Sequence, residues 1–125
     1  MILSDDLIDL ASIRRRAGAQ IYARGESYYR QGRVKLLRLQ PSSATFEVWG
    51  TYLYSVFIEL QEGVLRAGCS CPYSSGGETC KHQVAAALML KDYLLYNGPV
   101  TWSSRLTDVL QTANQRRPVK PAASV

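Results

Sequence analysis

Residues 69–82 read CSCPYSSGGETCKH, and they hold all three cysteines and the single histidine of a 125-residue chain. The spacing is Cys69-x-Cys71, eight residues, then Cys80-x-His82. Three thiolates and one imidazole make a complete ligand set for tetrahedral zinc, with Zn–S of about 2.3 Å and Zn–N of about 2.0–2.1 Å. Rival chemistries fit the stretch less well. A Cys69–Cys71 disulfide would close a very tight ring and leave Cys80 over. A Cys80–His82 nucleophile pair has no orienting acid, and positions two apart at a helix start are poorly placed for it. A catalytic zinc keeps one position open, whereas four protein ligands close the sphere. The H-x-E and P-C-x-x-C signature of the zinc deaminases is absent. The pattern predicts one structural Zn2+ bound by Cys69, Cys71, Cys80 and His82.

Those four side chains converge only if particular elements carry them. In an extended strand alternate residues share a face, so Cys69 and Cys71 point the same way. Ser74, Ser75, Gly76 and Gly77 give the chain room to reverse. Cys80 must sit at or before the cap of the following helix, with His82 in its first turn. The helix N-terminus and Lys81 then supply positive potential to a centre with one net negative charge.

The flanking sequence provides such elements. After Cys80, KHQVAAALMLKDYLLYNGP is rich in helix formers and ends on Asn97-Gly98-Pro99. Val84 to Leu90 is apolar without a break, which predicts a helix buried over most of its surface. Ahead of the cysteines, RVKLLRL, ATFEVWG, YLYSVFIEL and VLRAGCSC alternate apolar and polar residues between the turn signals PSS and QEG. Loops this short permit only antiparallel pairing, so three or four strands form a meander. At the N-terminus, Ser4 with Asp5 and Asp6 reads as a helix start, followed by Leu3, Leu7, Leu10 and Ile13 or Ala17 at helical spacing. Gly18 interrupts that helix. A second runs through Ile21, Tyr22, Tyr28 and Tyr29 to a stop at Gly32. The predicted class is α+β: N-terminal helices, a three- to four-stranded antiparallel sheet, and a zinc knuckle leading into a buried C-terminal helix. Trp102 to Leu110 reads as a short amphipathic stretch packing on that helix. The single domain is placed at 1–113, and the basic, proline-containing residues 114–125 read as a flexible tail or linker.

Composition bounds the function. A hydrophobic fraction of 46% suits one globular domain. No apolar run reaches about 18 residues, so no span of a bilayer is predicted. MILSDDLIDL lacks the basic-then-apolar order of a signal peptide, and an odd cysteine count argues against a secreted disulfide framework. A reducing, cytoplasmic setting follows. The net charge of +5 is unevenly spread: residues 14–38 carry eight Arg/Lys against one acid, Glu26. Arg14, Arg15, Arg16, Arg24, Arg30, Arg33, Lys35 and Arg38, together with Lys81, are the candidate phosphate contacts, which would bind salt-sensitively and without base readout. The competing assignment for them is a solvated face with cations at helix C-termini. Tyr28, Tyr29, Trp49, Tyr52 and Tyr54 could stack on single-stranded bases, but such rings more often pack in or beside a sheet. Tyr73 and Lys81, beside the ligands, are the stronger candidates for exposed contacts.

The pattern C-x-C-x8-C-x-H, with a hydrophobic strand before it and an apolar helix after it, resembles the SWIM zinc finger. Tyr22-Ala23-Arg24-Gly25 and Tyr28 through Val34 are also similar to the region ahead of the finger in bacterial members, and the finger core would span 53–95. The resemblance implies an accessory module for DNA or protein interaction. The family occurs in bacterial Swi/Snf-type ATPases, plant Mu-like transposases and some ubiquitin-ligase proteins. The chain contains no G-x-x-x-x-G-K-[ST] phosphate loop. The expectation is therefore a non-enzymatic structural-zinc module that binds DNA, nucleoid-associated and accessory to a Swi/Snf-type DNA-dependent ATPase. The alternative is a protein–protein adaptor for a helicase or recombination factor. No membrane and no small-molecule substrate is expected.

Overall fold

The chain begins extended rather than helical. The Leu3 N–H donates to the Pro41 carbonyl at 2.7 Å, burying Leu3 against the turn that joins the first two strands. We describe residues 2–73 and 77–100 of a computed structural model; the stretch Trp102 to Leu110 and the tail 114–125 lie outside the described residues. Ser4 does not cap a long helix: its hydroxyl donates to the Asp6 carboxylate, ahead of a single 3-10 turn, Asp5–Leu7. The first α-helix, α1, is Leu10–Ala17, and its cap is Asp9, whose carboxylate accepts from the N–H groups of Ala11 and Ser12. Sequence spacing placed the start five residues too early because both sites offer an acidic or hydroxyl cap before apolar residues. The long-range bond to Pro41 decides between them.

Gly18, at φ +89°, separates α1 from α2, Ala19–Arg30. The end of α2 closes with paired bonds, Gly32 N–H to Tyr29 carbonyl and Arg33 N–H to Tyr28 carbonyl, which satisfies two carbonyls that a helix C-terminus otherwise leaves free. The meander follows: β1 Val34–Gln40, β2 Ser43–Trp49, β3 Leu53–Gln61 and β4 Val64–Cys69, hydrogen-bonded in that order and antiparallel throughout.

Alternation holds along β2 and β3, where Ala44, Phe46, Val48, Val56, Ile58 and Leu60 face inward. In β1 it is broken. The register slips between Leu36 and Arg38, a bulge at Leu37. Strict period two would have turned Arg38 inward; the extra residue rotates Leu39 into the core and leaves Arg38 outside.

The last helix, α3, is Lys81–Asn97. One side touches all four strands, and the other is covered by α1 and α2. That enclosure explains the unbroken apolar run: Val84, Ala85, Ala86, Ala87, Met89, Leu90 and Leu94 are all buried. The alanines keep the layers close. Gly25 of α2 sits so near α3 that a methyl there would come 2.4 Å from the Val84 Cβ. The Tyr29 hydroxyl donates to the Asp92 carboxylate across the same contact, and Lys91 Nζ donates to the Asp5 carbonyl at 2.7 Å. Among the described residues no helix is long and apolar enough to cross a membrane.

Candidate metal centre

The four predicted ligands meet where the sheet ends and α3 begins. Cys69 is the last residue of β4 and pairs with Val56. Pairing to β3 continues one residue further, with Ser70 N–H to Ser55 carbonyl at 3.0 Å and Ser55 N–H to Ser70 Oγ at 3.0 Å. This holds the chain extended through Cys69 and aims Cys71 at the same place. Cys80 is the N-cap of α3, with extended backbone at φ −96° and ψ 169°, and His82 is the second helical residue. The cap conformation resolves the i,i+2 problem, because Cys80 has not yet joined the helical screw.

Size and chemistry both fit zinc. The four ligand atoms all lie within 4.8 Å of one another. His82 Nδ1 is 3.6 Å from Cys69 Sγ and 3.7 Å from Cys80 Sγ. A regular zinc tetrahedron with Zn–S of about 2.3 Å has ligand–ligand edges of roughly 3.5–3.8 Å. Cys71, Cys80 and His82 are buried and Cys69 is half-buried, and none of the cysteines is in a disulfide. Four protein atoms in so tight a space fill a tetrahedral sphere, which is the arrangement of structural rather than catalytic zinc.

The surroundings favour a thiolate at Cys80. Cys80 is lowered to about 4, first by a hydrogen bond from Cys69 and then by His82 and the Gln83 backbone N–H, against the opposing effect of burial. Cys69 is held upward by that same hydrogen bond and by its own desolvation. The N–H groups at the start of α3 stabilise the Cys80 thiolate.

Around the ligands stands a wall of aromatic rings that sequence reasoning had not connected with the metal. The Tyr54 ring lies 4.4 Å from that of His82, tilted by 33°, and the Tyr28 ring meets His82 edge-on at 5.7 Å. Gly50, in the β2–β3 turn, closes the third side; a methyl on it would be 3.2 Å from His82 Nε2 and 3.3 Å from the Tyr28 hydroxyl. Among the described residues, His82 Nε2 is buried with no hydrogen-bond partner. The second nitrogen of a ligating histidine commonly donates to a carbonyl or carboxylate. Here packing against two tyrosines fixes the ring with Nδ1 toward the sulfurs. Nothing in the local sequence marks Tyr28, Gly50 and Tyr54 for this task, since they come from three separate elements.

Residues 54–91 match the family model of the SWIM zinc finger. The SWIM match runs from β3 through β4 and the ligand loop to Lys91 of α3. No curated protein and no solved structure gives a significant match. Within the SWIM segment lie all four converging ligands.

The basic residues singled out in the sequence do not form one patch. Arg14, Arg15 and Arg16 occupy the exposed last turn of α1, with Arg14 5.8 Å from the centre of the Tyr22 ring. Lys35 and Arg38 are exposed on the sheet face turned away from α3, where Lys35 lies opposite Glu47. Arg24 and Arg30 are exposed on α2. Arg33 and Lys81 are drawn to the metal centre: their charged groups lie 5.0 Å and 5.7 Å from the Tyr28 ring centre. Tyr73, two residues past Cys71, is 53% exposed.

Proposed function

We propose that the chain is a non-catalytic, zinc-stabilised binding module whose partner is DNA. The observation that carries this reading is the closed ligand set: four protein atoms complete the metal sphere, so the zinc serves to pin β4 to α3 and leaves recognition to the surrounding surface. The basic stretch supports a polyanion, since residues 14–38 hold eight Arg/Lys and a single acid, and Arg33 and Lys81 bring charge to the metal centre itself. An accessory role beside a Swi/Snf-type DNA-dependent ATPase fits the SWIM resemblance. The test is retention of the zinc-loaded protein on immobilised DNA over a salt gradient. Retention that falls steeply with salt supports the reading, and none at low salt ends it.

A second reading, a protein adaptor, draws on the outer face of the sheet. Trp49 and Leu53 face each other across β2 and β3 at 52% and 44% exposure, and Phe57 on the same face is 44% exposed. Three apolar side chains on one unshielded face suit a protein partner better than a phosphate backbone. Replacing Trp49 and Phe57 together by serine separates the two readings: an adaptor loses its partner, whereas DNA retention is unchanged.

A further inference from the structure

We infer that the aromatic and cationic surface built over the zinc ligand His82 is a binding platform for single-stranded DNA, with Tyr52 as the stacking ring and Arg33, Lys81 and Arg24 as its phosphate contacts. This inference rests on the DNA reading above and assigns it a place and a strand form. The surface is a continuous chain of contacts. Tyr52 stands edge-on to Tyr54 at 6.4 Å, Tyr54 lies on His82, and His82 meets Tyr28, which carries both Arg33 and Lys81 on its ring. Arg24 is one helical turn before Tyr28, on the same side of α2. Arg33 is held in place by its own bonds, Nε to Gln31 Oε1 at 2.8 Å and Nη1 to the Trp49 carbonyl at 3.0 Å.

Two features point to a single strand. First, Tyr28 and Tyr54 are half-buried and committed to His82, but Tyr52 is 71% exposed and touches only the edge of that cluster. A free aromatic face beside a rigid aromatic base can stack an unpaired nucleobase, whereas a duplex keeps its bases stacked on one another and offers the ring nothing. Second, among the described residues neither Arg24, Arg33 nor Lys81 is in an ion pair with a carboxylate. Arg24 and Arg33, with Lys81 beside the anionic metal centre, set cationic groups around one exposed ring, the charge pattern of a strand whose phosphates run alongside its splayed bases. The zinc contributes rigidity, because its imidazole ligand is the ring on which the tyrosines are mounted.

The experiment is fluorescence anisotropy of the full zinc-loaded chain with a dye-labelled oligothymidylate and with a duplex of equal length, over a range of salt. We expect the single strand to be preferred at every salt concentration. Tyr52→Ala should weaken single-strand binding by roughly tenfold without changing the salt slope, and Tyr52→Phe should restore it. Lys81→Ala should lower the slope of log K against log salt by about 0.7. Equal zinc content and melting temperature across the variants shows that folding is intact. If Tyr52→Ala binds as tightly as the parent, or the duplex is preferred, this platform is wrong while DNA binding itself stands. Absence of salt-dependent binding to either probe overturns both.

Discussion

Replacing Gly25 by alanine sets two physical effects against each other. In isolation the change favours a helix, by about 1 kcal/mol. In this fold the new methyl would lie 2.4 Å from both Cβ and Cγ1 of Val84 and 2.9 Å from the Lys81 carbonyl oxygen. Carbon atoms pack comfortably at about 3.5–4.0 Å, so the shortfall exceeds an ångström. Turning the Val84 side chain cannot relieve it, because its Cβ and the Lys81 carbonyl move only with the α3 backbone. The helices must separate. Overpacking of this kind costs about 1–3 kcal/mol, and a clash fixed by backbone belongs to the upper part of that range. Net destabilisation should be about 1–2 kcal/mol after the propensity gain. For a domain of this size the melting temperature falls by roughly 3–6 °C per kcal/mol, giving a loss of roughly 3–12 °C. Thermal unfolding of the zinc-loaded protein, followed by far-UV circular dichroism, reads it directly. Val84→Ala in the same background deletes both Cγ methyls of a fully buried side chain and leaves the Cβ and Lys81 carbonyl clashes in place, so it should not restore the parental melting temperature. A Gly25→Ala protein as stable as its parent, or more so, would refute the proposed closeness of α2 to α3.

Three further outcomes are expected. Elemental analysis should find one zinc per chain, and stripping it with a strong chelator should lower stability by about 4 kcal/mol where free zinc had stood a thousandfold above its dissociation constant, seen as a lower denaturant midpoint. Gly50→Ala, with its methyl 3.2 Å from His82 Nε2 and 3.2 Å from the Tyr54 ring, should weaken metal binding by about tenfold in a competition titration with a chromogenic chelator, by tilting the imidazole; an unchanged affinity would mean the turn yields freely. Asp9→Ala should cost about 1 kcal/mol in urea unfolding through the lost cap of α1, and Ser4→Ala should cost distinctly less.

Much of this molecule is legible from residue types and spacing. Cys69, Cys71, Cys80 and His82 are separated so that only a strand end and a helix start bring them together, and the structure does that. The meander and the buried helix are equally plain, since period two and the run from Val84 to Leu90 have few alternatives. What escaped depends on partners distant in the chain. Whether Ser4 or Asp9 starts the first helix is settled by Pro41, and the bulge at Leu37 is settled by which of Leu36, Arg38 and Leu39 the core accepts. Gly25 reads locally as either a bend or a tight contact; only Val84 decides for the contact. The tyrosines are the largest omission. Composition marks them as numerous, but their mounting on a metal-bound imidazole emerges only when α2, the β2–β3 turn and α3 are folded together.

The enclosure of α3 bears on how such a finger can be handled. The stretch from Tyr54 to Lys91 that carries the family pattern supplies two strands and most of one helix, but neither β1 and β2 nor the helices that lie over Val84 and Ala85. Cut out on its own, that stretch would present greasy surface on opposite flanks of its helix to water, and it would lose the Tyr28 ring that steadies His82. Metal affinity and solubility measured on such a peptide would describe a different object. The smallest autonomous unit has to reach back at least to α2, so here the finger is the keystone of a larger vault and does not stand as a freestanding bead.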